Sequence, residues 1–414
     1  MTSSEKKYKL RRILLIVVVS LAIIVIGFGA FKLFQIYVTP NIGNKGPTTT
    51  IQPIASGLPI ASGLPTVSAI PVARKDVKIN AVYVTGNMAG STKFIDSIIE
   101  LSKTSTLNAV VIDVKEDGFV NYKSEVPKVV EFGNMKNLYK PQELLRKLHD
   151  NNIYVIGRIV CFRDKNLASQ RKDLAIKTTS GELFMEGQHY WLNAFLEENQ
   201  NYNIDIAKEA ALLGFDEIQF DYVRFPSSKT AVYEQTEIPK TEAILKFLKK
   251  ARDEISIGLN KPIGAAIFAI VIESKQDGEH IGQDFQKIGE VLDFIYPMIY
   301  PSHWANSDKS GMMANGYGQT INKVFFTKPD LQPYEVALNI SKTTKTLMAA
   351  NPNFKAKIRT YLQDFTATYL PKGYFQTYMA VQVNDQIRGL KDAGLDEWVL
   401  WSGTNIYSYD VFKK

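Results

Sequence analysis

From about Lys78 onward, short apolar, β-branched runs alternate with helical segments, and eight such runs can be counted. The candidate strands are 79–86, 108–115, 153–162, 216–225, 262–270, 293–300, 357–363 and 397–402. Between them the periodicity changes to that of helices, as at 92–104, 141–151, 202–213, 240–258 and 379–394, with Gly214 and Gly394 at helix stops. A strand followed by a helical crossover pairs in parallel with the next strand, and eight such units make a (β/α)8 TIM barrel. The alternative, a doubly wound open sheet, calls for a glycine-rich turn after its first strand. Gly86-Asn87-Met88-Ala89-Gly90 does not supply that fingerprint. Two long insertions, at 163–200 and 301–332, each follow a strand, on the face where barrel enzymes keep their sites.

The fold class expected is therefore α/β, a TIM barrel over 77–414, and the first 76 residues read differently. Residues 1–32 hold six Lys/Arg and one acid, a charge of +5 that leaves +2 of the net +7 for the rest. The basic balance thus argues for membrane topology and against nucleic-acid binding, which needs a basic stripe on the domain itself. Ile13 to Phe31 is a run of 19 residues without a charge, nearly enough to span a hydrocarbon core of about 30 Å as a helix. A cleavable signal peptide would have a shorter apolar region and a small-x-small site, for which Gly27-Phe28-Gly29-Ala30 is a poor match. The basic flank precedes the span, so residues 1–38 are expected to be a cytoplasmic tail and single-pass anchor, with the remainder exported. Residues 39–76, rich in Pro, Gly, Thr and Ser and carrying a tandem Ile-Ala-Ser-Gly-Leu-Pro, read as a linker. The sole cysteine, Cys161, lies in an apolar run and reads as a buried, inert thiol.

Charge at the ends of apolar strands is costly unless it is paired or faces a wet cleft. Two strands end that way: Val110-Val111-Ile112-Asp113-Val114-Lys115 and Ile218-Gln219-Phe220-Asp221-Tyr222-Val223-Arg224. Strand alternation places Asp113 inward with Val111 and Lys115, Asp221 inward with Gln219 and Val223, and Arg158 with Ile156 and Val160. Asp113, Lys115, Arg158, Asp221 and Arg224 then converge on the C-terminal rim. Carboxylates across a cleft, with Arg or Lys beside them, are what glycoside hydrolysis needs; a structural salt bridge among the same groups is the competing account. Further rim acids are Glu116, Asp117, Asp164, Glu273, Asp284 and Asp364, of which Glu273 and Asp364 stand just after the fifth and seventh strands. Tyr300, His303, Trp304 and Trp401, with Tyr361, offer aromatic faces for sugar rings, core packing being the alternative. Four histidines without metal-ligand spacing give no expectation of a metal, and no cofactor is expected. A lyase or aldolase using Lys115 is a third reading.

These segments resemble an uncharacterised family of glycoside hydrolases with a TIM-barrel domain, of the DUF4015 type. The resemblance covers about 78–410 and rests on 108–118, 202–227, 293–304, 359–365 and 400–407. It implies hydrolysis of a glycosidic bond in a polysaccharide or oligosaccharide, and it carries Asp113, Asp221, Arg224, Tyr300-Pro301-Ser302-His303 and Gln363-Asp364 as matching positions. The fifth strand departs: relatives carry an Asp where this chain has Ala266. If that Asp is catalytic, either this copy is a non-catalytic glycan-binding barrel or Glu273 substitutes. Arg359-Thr360-Tyr361 likewise stands where the family has Arg-Pro-Trp. Oligomeric state is not legible in the sequence.

Overall fold

The computed structural model describes residues 77–233 and 238–413; the expected anchor and linker at 1–76 lie outside the described residues. Among the described residues no helix is long and apolar enough to cross a membrane. Eight parallel strands form the centre: β1 Asn80–Val84, β2 Ala109–Glu116, β3 Tyr154–Val160, β4 Glu217–Asp221, β5 Ile263–Phe268, β6 Phe294–Ile299, β7 Thr360–Gln363 and β8 Trp398–Trp401. Each pairs with its successor, and β8 pairs with β1 in the register Asn80↔Trp398, so the sheet closes into the expected barrel. The principal helices are α1 Thr92–Thr104, α2 Pro141–His149, α3 Glu197–Leu213, α4 Lys240–Ala251, α5 Phe285–Val291, α6 Pro333–Ala350 and α7 Ala380–Asp392. The expected helix at 240–258 continues past α4 only as a π-helical turn, Arg252–Ile257.

The two-residue period of each strand sorts its side chains into two cores. Val82, Val110, Ile112, Val155, Ile218, Phe220, Ile263, Ile267, Ile295 and Leu400 face the helices. Ala81, Val111, Ile156, Ala266, Tyr296, Tyr361 and Val399 fill the barrel. The interior is not wholly apolar. At its base Arg359 donates to Glu217 and, at 2.9 Å, to Glu397, while Tyr296 and Tyr154 donate to Glu217. Burial raises the Glu217 pKa to about 7, against the pull of the Arg359 guanidinium. This network ties β3, β4, β6 and the entries of β7 and β8 together, and Arg359 is the break between Lys357–Ile358 and β7. One layer up, the Tyr361 hydroxyl donates to Gln219 Oε1 at 2.7 Å.

Both insertions rise from the C-terminal ends of strands. The first holds a helix, Lys165–Gln170, and a hairpin, Met185–Glu186 with His189–Tyr190. The second holds the 3-10 turn Pro301–His303 and a hairpin, Gln319–Ile321 with Val324–Phe326. They wall the mouth of the barrel.

Candidate active site

Three strand ends meet at the mouth. Register places Asp113 of β2 opposite Arg158 of β3, and Val160 opposite Asp221 of β4. The Arg158 guanidinium lies between the two carboxylates. Its Nη1 donates to Asp113 Oδ1 at 2.5 Å, and its Nε and Nη2 donate to Asp221 Oδ2 at 2.9 and 2.7 Å. The same guanidinium faces the rings of Tyr83 and Trp401, which stack on each other at 4.0 Å. The two acids differ in access. Asp113 is fully buried, with its second oxygen taken by the Tyr83 hydroxyl, and burial raises its pKa to about 6 although Arg158 opposes the shift. Asp221 keeps 5% exposure and lines a cleft of about 120 Å³.

The chain turns sharply just after Asp221. Tyr222 has φ +49, a left-handed conformation that costs a bulky residue on the order of 1–3 kcal/mol. The turn directs the Tyr222 N–H back to Asp221 Oδ1 at 2.6 Å. It also breaks the strand alternation, so Val223 packs toward the helices and not inward as its parity predicts, while Arg224 reaches the cleft. Around Asp221 the cleft wall is formed by Arg158, Tyr222, Arg224, Ala266, Phe268, Gln283, Met298, Tyr300, His303, Tyr361 and Trp401. Tyr300 and His303 meet edge to face at 4.9 Å, and His303 is exposed at the mouth. A carboxylate on the floor of a pit with aromatic walls can support positive charge on a sugar ring while the walls hold its apolar face.

Several expected positions lie elsewhere. Lys115 is not on the cleft: a register shift between Asp113 and Lys115 adds a residue to β2 and re-aims the side chain outward. There its Nζ pairs with Asp164 at 2.7 Å and donates to Val160 O, Cys161 O and Asn203 Oδ1, which also removes the amine a Schiff base would need. Glu273 faces the second insertion and accepts from the Asn322 N–H at 3.2 Å. Asp364 is bound by the Ser408 N–H and hydroxyl at 2.7 and 2.8 Å. Gln363 joins the Ser302 N–H to Asp330, holding the loop after β6. Trp304 is buried in the outer core. Among the described residues, Asp221 is therefore the one carboxylate on the cleft wall, and Ala266, opposite on β5, adds none. Sequence reading passed over Tyr83, Phe268, Gln283 and Met298, which belong to apolar runs or to a helix N-terminus and carry no charge signal.

Among curated proteins none matches this chain. Among solved structures, the glycoside hydrolase domain of PgaB (BpsB) from Bordetella bronchiseptica aligns with a TM-score of 0.57 at 10% identity, over 81% of this chain and 95% of that one. A β-galactosidase from the psychrophilic Marinomonas ef1 aligns at 0.52 and 10% identity, over 78% and 54%. At these identities the likeness is one of fold. A hypothetical protein from Ruminiclostridium thermocellum ATCC 27405 is 39% identical over 44% of this chain and 96% of its own, with a TM-score of 0.43. The family model described as "Putative glycosyl hydrolase domain" matches residues 81–407, nearly the whole barrel, and the chain belongs to that family.

Proposed function

We propose that this protein is a membrane-anchored glycoside hydrolase acting on an envelope or extracellular polysaccharide, with Asp221 as the carboxylate at the reacting centre. The observation that carries the reading is the Asp221–Arg158 pair on the floor of an aromatic-walled cleft at the C-terminal mouth of a barrel of this family. Asp221 accepts three N–H bonds, two from Arg158 and one from Tyr222. It is an electron-pair donor, suited to attack on, or electrostatic support of, the carbon that gains positive charge. Asp113 acts through Arg158 as a positioning residue. The cleft, at about 120 Å³, falls below the roughly 300–1,000 Å³ of ordinary small-molecule pockets, and it fits one sugar ring at its floor. The anchor rests on the uncharged run Ile13 to Phe31 and its basic flank. The test is release of reducing ends from purified envelope glycans by the full chain; binding of those glycans without release would contradict hydrolysis.

A second reading has its own observation. Hydrolysis by a carboxylate pair requires a second acid on the cleft, and the fifth strand offers Ala266. The barrel would then hold glycans without cleaving them. Ala266→Asp separates the two readings: a non-catalytic copy gains turnover from the added acid, whereas a hydrolase that works without it loses turnover to a charge facing Asp221.

A further inference from the structure

Arg224 is more heavily buried than its ionic partners warrant. It is 6% exposed, and its guanidinium is packed against Phe268 at 4.6 Å and Trp191 at 4.7 Å. Its Nη1 donates to the neighbouring Phe225 carbonyl at 2.8 Å. Glu186, the carboxylate it pairs with, stands 3.8 Å from Nη2, beyond hydrogen-bond reach, and is itself 29% exposed. A guanidinium offers five N–H donors in a planar fork, and burial without full pairing is costly. Desolvation lowers the Arg224 pKa, with the charges of Glu186 and Asp221 in partial opposition. The side chain also lines the cleft.

A second guanidinium repeats the pattern on the same tyrosine. Arg163 lies 3.7 Å from the Tyr222 ring centre, and Arg224 lies 5.4 Å from it. The Arg163 Nε is buried without a hydrogen-bond partner among the described residues. Arg163 lines a second hollow of about 420 Å³, together with Lys136, Lys165, His189 and the acids Glu116 and Asp117. His189 and Asp117 satisfy each other at 3.0 Å. Tyr222, held by its strained backbone, therefore stands between two cavities, each with an under-paired guanidinium. Structural pinning of the strand-end loop would account for one stacked arginine with its carbonyl bond; it leaves the idle donors of both unexplained.

We propose that the mouth of this barrel is built for a polyanionic glycan, with Arg224 taking an acidic group in the inner cleft and Arg163 taking another in the outer hollow. The proposal rests on the carbohydrate reading above and specifies its substrate class. The shared ligand chemistry is an oxyanion with two or three acceptors, a sugar carboxylate or a phosphate, which the fork binds bidentately. Neutral glycans leave both guanidiniums without that partner.

Calorimetric titration of the full-length protein tests it, with tetragalacturonate, its methyl ester, a glycerol phosphate oligomer and cellotetraose as probes. At least one acidic probe is expected to bind about tenfold or more tighter than the two neutral ones. That preference should weaken as salt rises, and the tighter acidic probe identifies carboxylate or phosphate as the source. Arg224→Gln and Arg163→Gln should each remove about tenfold of that affinity, a larger factor than either takes from cellotetraose binding. Arg224→Lys, which keeps the charge without the fork, should recover part of it. If Arg224→Gln fails to fold, the more exposed Arg163→Gln carries the test. Equal affinity for acid and methyl ester, no binding of either acidic probe, or unchanged affinity in Arg163→Gln would overturn the proposal. The charge preference should persist in Asp221→Asn, so its absence counts against polyanion recognition alone, and missing reducing ends count against hydrolysis alone.

Discussion

Asp113 and Asp221 share one arginine but are placed for different tasks. The difference comes from two local departures from ideal strands: the added residue after Asp113 and the left-handed Tyr222 after Asp221. Asp113, sealed beneath the cleft, has a folded-state pKa raised to about 6 from 3.8. An acid whose pKa is raised by folding holds its proton longer in the folded state. Its contribution to stability is therefore present below about pH 4 and is lost as pH rises toward 6. Asp113→Asn does not titrate, so the stability gap between wild type and this variant should narrow between pH 4 and 7 in chemical denaturation. A gap that widens over that range would contradict the assignment. Both strand-end aspartates and Arg224 were legible as charge where an apolar run ends, and Arg158, inside its strand, through its alternation with Ile156 and Val160. Lys115 carried the same signal but lies on the other face, because a bulge has no marker in the residue pattern. Tyr83 could be found only through its partner Asp113.

At the scale of elements, all eight strands were legible, because β-branched apolar runs followed by helical periodicity leave little other choice. The seventh was read as one run, 357–363, whereas Arg359 interrupts it to reach Glu217 and Glu397 across the barrel base. That network had no local signal, since Glu217 and Arg359 are 142 positions apart. Arg359→Leu strands Glu217 as an unpaired buried acid, and denaturant unfolding should show a loss of about 3–5 kcal/mol. Pairing it with Glu217→Leu should recover part of that loss, since it removes one uncompensated charge while Glu397 and the Tyr154 and Tyr296 hydroxyls stay without their partners. A double variant no more stable than the single one would place the cost in packing and not in charge. The acids Glu273 and Asp364 were credible from position alone, but the hairpin Gln319–Ile321 with Val324–Phe326 and the loop at Ser408 occupy them, contacts that no sequence spacing reveals.

For the whole molecule, the sequence divides function from location. The barrel accounts for a net charge near zero, and of the surplus of +7 the first 32 residues carry +5. If residues 1–38 are an anchor, alkaline carbonate should leave the full chain with membranes, and deletion of those residues should release a folded barrel; recovery of the full chain in the soluble fraction would refute it. The central claim concerns chemistry at one carboxylate, and the most direct test is the ratio of reducing-end release by wild type to that by Asp221→Asn, on one envelope glycan that both proteins bind. The account predicts a ratio of at least about a thousand with matching thermal melts. A ratio near one, with turnover present in both, would remove Asp221 from the reaction.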